Sequence, residues 1–219
     1  MHMNFKDFEK NSVIMMSGDS VTDCGRGRPY GTYLTGLGDG YVKRMHEIVT
    51  ATYPEFEIKF INTGISGETS RQVRARWISD IEGSKPDYAT LLIGVNDIWR
   101  KHDFWMDKEV AVHIDEYEDN LRYITEYSVK NLKSFTLIAP FYLELNKKDM
   151  FMQDVIAYSA VCKKLASEYG CGFIDLQPEL DRLCKTLYTK VFSPDRVHPT
   201  QVTHYAIARY ILKQWKFKF

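Results

Sequence analysis

At 219 residues, with 29 basic and 29 acidic side chains cancelling to a formal charge of zero, the chain is long enough for one sizeable α/β core and carries no net basic field. That balance argues against nucleic acid or an anionic membrane as partner and favours a small or neutral molecule. The opening "MHMNFKDFEKNS" lacks the apolar core of a secretory signal, and no later apolar run approaches bilayer-spanning length.

The first element is "SVIMM", an apolar run that reads as a buried strand and feeds directly into Gly18, Asp19 and Ser20. Helical spacing then places Tyr41, Val42, Met45, Ile48 and Val49 on one face. A second strand, "FEIKFIN", leads into "NTGISG" with Gly64 and Gly67, and a second stripe follows at Val73, Trp77 and Ile81. "YATLLIG" is the third strand, ending at "GVNDIWR" with Gly94 and Asn96; Leu121, Ile124, Ser128 and Leu132 make the next helical face. "SFTLIAP" and "GFIDL" are the last two strands, separated by a stripe of Val155, Tyr158, Cys162, Leu165 and Tyr169. After "DRVHPT" a final helix is expected to present Val202, Ala206 and Tyr210, with Leu212 beside them.

Regular alternation of strand and helix predicts a parallel five-stranded sheet with helices on both faces, a single domain over residues 1–219. Ligands of such sheets bind beyond the carboxyl ends of the strands, where the four polar clusters fall.

The residue types in those clusters suit acyl transfer. A serine hydroxyl needs a base, and histidine is the side chain whose ordinary pKa suits that task near neutrality, so Ser20 and His198 pair as nucleophile and base. Asp195 is placed to fix the histidine tautomer, and the N–H groups of Ser20 and Gly67 with the Asn96 amide are candidate oxyanion donors. Asp19 and Asp23 would organise the nucleophile loop. Singly, each block also has a structural reading as a helix cap, a turn or a packed histidine; the ordered set does not.

These blocks, "GDSVTD", "GISG", "GVND" and "DRVHP", resemble those of the SGNH hydrolases of the GDSL esterase and lipase superfamily, in the same order and across nearly the whole chain. The resemblance implies a three-layer α/β/α sandwich of flavodoxin-like type, Ser20, Asp195 and His198 as catalytic residues, and Ser20, Gly67 and Asn96 around the oxyanion. "GDSVTDCGR", "GYV", "ARW", "IGVNDIWR", "APFY" and "TLY" further resemble intracellular acetylxylan esterases, which implies an acetylated sugar or oligosaccharide as substrate, no cofactor, and a homo-oligomer. Those esterases carry a tryptophan directly before the aspartate, whereas this chain has Ser193 and Pro194. Trp99, Arg100, Trp105 and Tyr142 are the candidates for the substrate surface.

Three rival chemistries are weaker. His102, His113, His198 and His204 form no H-E-x-x-H or cysteine–histidine pattern, so no metal is expected. "GLGDG" lacks dinucleotide or P-loop spacing, and Cys24 reads as a small packed thiol rather than a nucleophile. The four cysteines show no C-x-x-C pair and predict free thiols in the cytoplasm. A lipase or thioesterase for longer acyl groups, or a carbohydrate-binding protein on a dead hydrolase scaffold, remain the alternative functions.

Overall fold

The computed structural model describes residues 3–28, 35–103 and 109–219. In chain order its elements are β1 (Val13–Gly18), α1 (Ser20–Asp23), α2 (Tyr41–Thr52), β2 (Lys59–Asn62), α3 (Ser70–Ser84), β3 (Tyr88–Leu92), α4 (Val95–Asp103), α5 (Ile114–Asn131), β4 (Ser134–Ile138), α6 (Met150–Tyr169), β5 (Gly172–Ile174), α7 (Gln177–Cys184) and α8 (Gln201–Gln214). The five strands form one parallel sheet in the order β2-β1-β3-β4-β5. The order reverses beside β1, so the ends of β1 and β3 border the crevice where such sheets bind ligands.

The strands read as continuous apolar runs because both faces are covered. Ile14, Met16, Tyr88, Leu92, Ile138 and Ile174 pack towards α2, α7 and α8, while Met15, Ala89, Leu91, Phe135 and Leu137 pack towards α3, α4, α5 and α6. The stripe Val73, Trp77, Ile81 is buried as its spacing requires, and the Trp77 indole satisfies its one donor on Ser128 Oγ at 3.0 Å. The tail closes onto the N-terminal segment: Phe5 N–H donates to Trp215 O at 2.6 Å, and the Phe5 and Phe217 rings meet edge to face at 4.8 Å.

Two expectations need correction. The second strand starts at Lys59 rather than Phe56, because Pro54–Phe56 form a 3-10 turn and Glu57 takes a left-handed φ of 50°. The buried face of α8 is Thr203, His204, Ile207, Ala208, Ile211 and Leu212, not the face of Val202, Ala206 and Tyr210, and Val202 is 60% exposed. Two of those buried positions are polar, which hides the true face from a hydrophobic pattern. Thr203 Oγ1 donates to Phe192 O at 2.7 Å, and His204 is paired on both nitrogens.

Candidate active site

Strand β1 delivers Ser20 through a turn that only glycine permits, since a Cβ on Gly18 would overlap Leu92 O and Thr22 Oγ1. Asp19 caps the short helix α1, its Oδ1 accepting the Val21 N–H at 3.0 Å, and leaves Ser20 as the first helical residue. From the far end of the chain, the segment between Phe192 and α8 brings in the histidine. His198 Nε2 lies 2.9 Å from Ser20 Oγ, and His198 Nδ1 lies 2.6 Å from Asp195 Oδ2. The carboxylate on Nδ1 keeps the proton there, so Nε2 is the acceptor for the serine hydroxyl.

Asp195 is itself held. Its Oδ1 accepts the N–H groups of His198 at 2.8 Å and Val197 at 3.0 Å, and the Ser193 hydroxyl at 3.2 Å. Burial alone would raise this carboxyl, but the bonds from His198 and Val197 outweigh it and hold the group below the usual carboxylate range. Ser193 thus supports the aspartate directly, a contact not anticipated from sequence.

The third and fourth blocks close on the same place. Gly67 sits at φ +83° in a turn closed by Glu68 N–H to Ile65 O at 3.3 Å. Asn96 Nδ2 donates one proton to Glu68 O at 2.9 Å, which aligns the amide and leaves its second N–H for another acceptor. The next residue, Asp97, is fully buried and caps α3 from the neighbouring α4, accepting Ser70 N–H at 3.0 Å and Ser70 Oγ–H at 2.5 Å. Burial pushes its carboxyl up to about 6 against those bonds. Asp97 therefore ties the helix that carries Asn96 to the segment that follows Gly67, a link not anticipated from sequence although it stands beside Asn96 in "GVND".

The substrate candidates fall differently. Trp99 lies beside the site, its ring centroid 5.8 Å from that of His198, and Arg100 passes Gly67, whose Cβ position would be 3.8 Å from Arg100 Nη2. Tyr142 stacks on Phe151 at 4.4 Å and pairs with Arg196, next to Asp195. Trp105 lies outside the described residues.

The rival readings lose ground on geometry. His204 Nδ1 accepts the Tyr41 N–H at 3.2 Å, so Nε2 carries the proton it shares with Cys24 Sγ at 3.4 Å. Burial pushes that imidazole down to about 4, and the half-buried Cys24 thiol is pushed up, so the pair does not make an activated nucleophile. Gly38 and Gly40 of "GLGDG" pack against the backbone and side chain of Cys24, where the glycines serve close approach. Among the described residues no group of three or more His, Cys, Asp and Glu could hold a metal ion, and no helix is long and apolar enough to cross a membrane.

A serine, a histidine and a carboxylate hydrogen-bonded in line, with amide donors beside them on a doubly wound sheet, make up a carboxylic ester hydrolase. Residues 16–206 match the GDSL-like Lipase/Acylhydrolase family, and the chain belongs to it. It is 40% identical over 207 residues, 94% of each chain, to an acetylxylan esterase of Geobacillus stearothermophilus. A crystal structure of that esterase matches with a TM-score of 0.93 at 38% identity, covering 96% of this chain and 97% of the other. Its solved forms include catalytic mutants in which a serine, an aspartate and a histidine are each replaced by alanine. LAE5, an alpha/beta hydrolase enzyme from the metagenome of Lake Arreo, Spain, matches with a TM-score of 0.93 at 31% identity over 95% of this chain and 97% of its own.

Proposed function

We propose that the protein is a serine esterase that removes acetyl groups from acetylated carbohydrates, xylo-oligosaccharides among them, through an acyl-enzyme. The observation that carries the reading is the line Ser20 Oγ, His198 Nε2, His198 Nδ1, Asp195 Oδ2, with separations of 2.9 and 2.6 Å. His198 takes the Ser20 proton as the oxygen attacks the ester carbonyl, and Asp195 stabilises the imidazolium that forms. Negative charge on the carbonyl oxygen is met by Ser20 N–H, Gly67 N–H and the second proton of Asn96 Nδ2. His198 then protonates the departing sugar oxygen, releasing it as the free hydroxyl, and a water activated by the same nitrogen releases acetate and frees Ser20. No step in this sequence calls on a cofactor.

The substrate class is supported by likeness to the Geobacillus stearothermophilus acetylxylan esterase and by the aromatic Trp99 beside His198. Residues 1–219 act in this reading as one domain around one sheet, in a cytoplasmic setting that suits four free thiols. Further copies of the chain are its expected protein partner, for which exposed Tyr188 (79%), Leu187 (54%) and Val191 (47%) offer apolar surface.

The test is hydrolysis of 4-nitrophenyl acetate and of acetylated xylose oligomers by the intact protein and by Ser20→Ala, with an organophosphonate as covalent probe. Turnover that the probe abolishes by labelling Ser20 supports the esterase. Full activity in Ser20→Ala, or sugar binding without turnover in the intact protein, would replace it with another mechanism or a binding protein.

A further inference from the structure

The two backbone donors assigned to the oxyanion belong to different parts of the chain, and something must set the gap between them. Ser20 N–H opens α1, whereas Gly67 N–H sits in the Ile65–Glu68 turn beyond β2. A donor displaced by an ångström from its place on a developing oxyanion loses most of its value, so this spacing is itself a catalytic quantity.

One carboxylate spans it. Asp23 lies on α1, one helical turn after Ser20, and is 4% exposed. Its Oδ2 accepts the Ser66 N–H at 2.9 Å and the Ser66 hydroxyl at 2.8 Å, gripping the residue directly before Gly67 at two points. The carboxylate is oriented in turn by the Arg26 N–H on Oδ1 at 3.1 Å and Arg28 Nη2 on Oδ2 at 3.3 Å. At the end of β2, buried Asn62 also links α1 to this loop: Nδ2 donates to Thr22 O at 2.6 Å, and to Leu37 O in the segment before α2 at 2.9 Å, while Oδ1 accepts the Gly64 N–H at 2.9 Å. Asn62 fixes where the loop begins. Asp23 fixes the peptide next to the donor.

We propose that Asp23 is a positioning residue for the oxyanion, its carboxylate setting the distance between Ser20 N–H on its own helix and Gly67 N–H beyond the serine it binds. The inference rests on the esterase reading above and names the part of that site which holds the two donors in register. An asparagine at this place keeps the size but leaves one acceptor oxygen, which cannot serve both the Ser66 N–H and the Arg26 N–H, so its amide NH2 meets one of these donors and the grip is broken on that side. The turn then relaxes away from α1, and the loss appears in the transition state rather than in substrate binding.

The experiment compares the intact protein with Asp23→Asn, Ser66→Ala, Gly67→Ala and the double variant Asp23→Asn/Gly67→Ala on 4-nitrophenyl acetate, well below each thermal midpoint. For Asp23→Asn, kcat should fall about tenfold or more with KM within about twofold, and Ser66→Ala, which keeps the N–H bond, should fall in the same direction by less. Gly67→Ala strains the same turn, so in its background Asp23→Asn should cost little more; a role in overall packing alone would multiply the two losses. An unchanged kcat in Asp23→Asn, a loss carried by KM, or undiminished multiplication would each overturn the proposal. If Asp23→Asn does not accumulate as folded protein, an unchanged kcat in Ser66→Ala does so alone. Absence of turnover in the intact protein would remove the esterase reading and this inference together. Turnover abolished by Ser20→Ala but preserved by Asp23→Asn would remove only the inference.

Discussion

His198 and Ser20 stand 178 positions apart in the chain, yet His198 Nε2 lies 2.9 Å from Ser20 Oγ. That contact depends on Asp195, which holds His198 by its ring and its backbone at once. In Asp195→Asn the amide can offer a donor where Nδ1–H needs an acceptor, favouring the tautomer with the proton on Nε2. We expect kcat to fall by about 10³–10⁴ with little change in the far-ultraviolet spectrum. Steady-state kinetics on an acetate ester decide this, and a loss below tenfold would detach Asp195 from the catalytic line.

For Asn96 the second amide proton is the one at stake, the first being spent on Glu68 O. Asn96→Ala should lower kcat by about a hundredfold, on the order of 3 kcal/mol, as for other lost oxyanion donors. If KM rises and kcat holds, Asn96 binds the ground state instead.

Short acyl chains are expected to be preferred, because the strand-end loops carry Gly67, Asn96, Trp99 and the charged Arg26, Arg28 and Arg100 rather than an extended apolar channel. The concavity beside the nucleophile loop, lined by Asp19, Val21, Val95, Pro140 and Val197, has a volume of ≈ 10 Å³, about what one water molecule needs. Each methylene that cannot enter such a site costs roughly 1–3 kcal/mol in discrimination. Acetyl esters should therefore exceed butyryl esters in kcat/KM by tenfold or more on that scale, with octanoyl esters hardly cleaved. A series flat or rising with chain length would replace the carbohydrate acetylesterase with a lipase or thioesterase.

Asp19 gives a stability signature. Burial, opposed by the Val21 N–H bond, pushes its carboxyl from 3.8 up to about 7. Between those values the native chain keeps a proton that the unfolded chain has released. Its contribution is fully present below 3.8, is lost as pH rises towards about 7, and is constant above. Asp19→Asn has no such proton, so its stability relative to the parent should increase by a few kcal/mol from pH 4 to 7, at about 1.4 kcal/mol per pKa unit, and then level off. Urea unfolding at several pH values measures the gap, and a gap independent of pH would show that Asp19 titrates normally.

Much of this candidate site could be read in advance because its polar residues sit where apolar runs stop: Ser20 after β1, Gly67 after β2, Asn96 after β3. What stayed hidden is polar and buried. Thr203 and His204 face inward because Phe192 O, Tyr41 N–H and Cys24 Sγ await them, and no periodicity of apolar residues encodes partners that distant. Asp97, Asn62 and Ser193 escaped for the same reason, since each works through a segment far from its own or through a turn whose shape is set by the fold. Tyr142 shows the converse. Named as apolar surface for the substrate, it packs on Phe151 and pairs with Arg196, neighbours that only the folded chain assembles.

The closure of the tail on Phe5, with Trp215 O taking the Phe5 N–H and Phe217 against its ring, has a consequence for how the protein is made. In synthesis Ser20 leaves the ribosome 178 codons before the base that arms it, which arrives on the segment that α8 anchors. Until then the nascent chain displays a serine of ordinary inertness, unable to acylate itself or its surroundings. In the esterase reading hydrolytic power arrives late, when α8 docks and sets His198 beside Ser20.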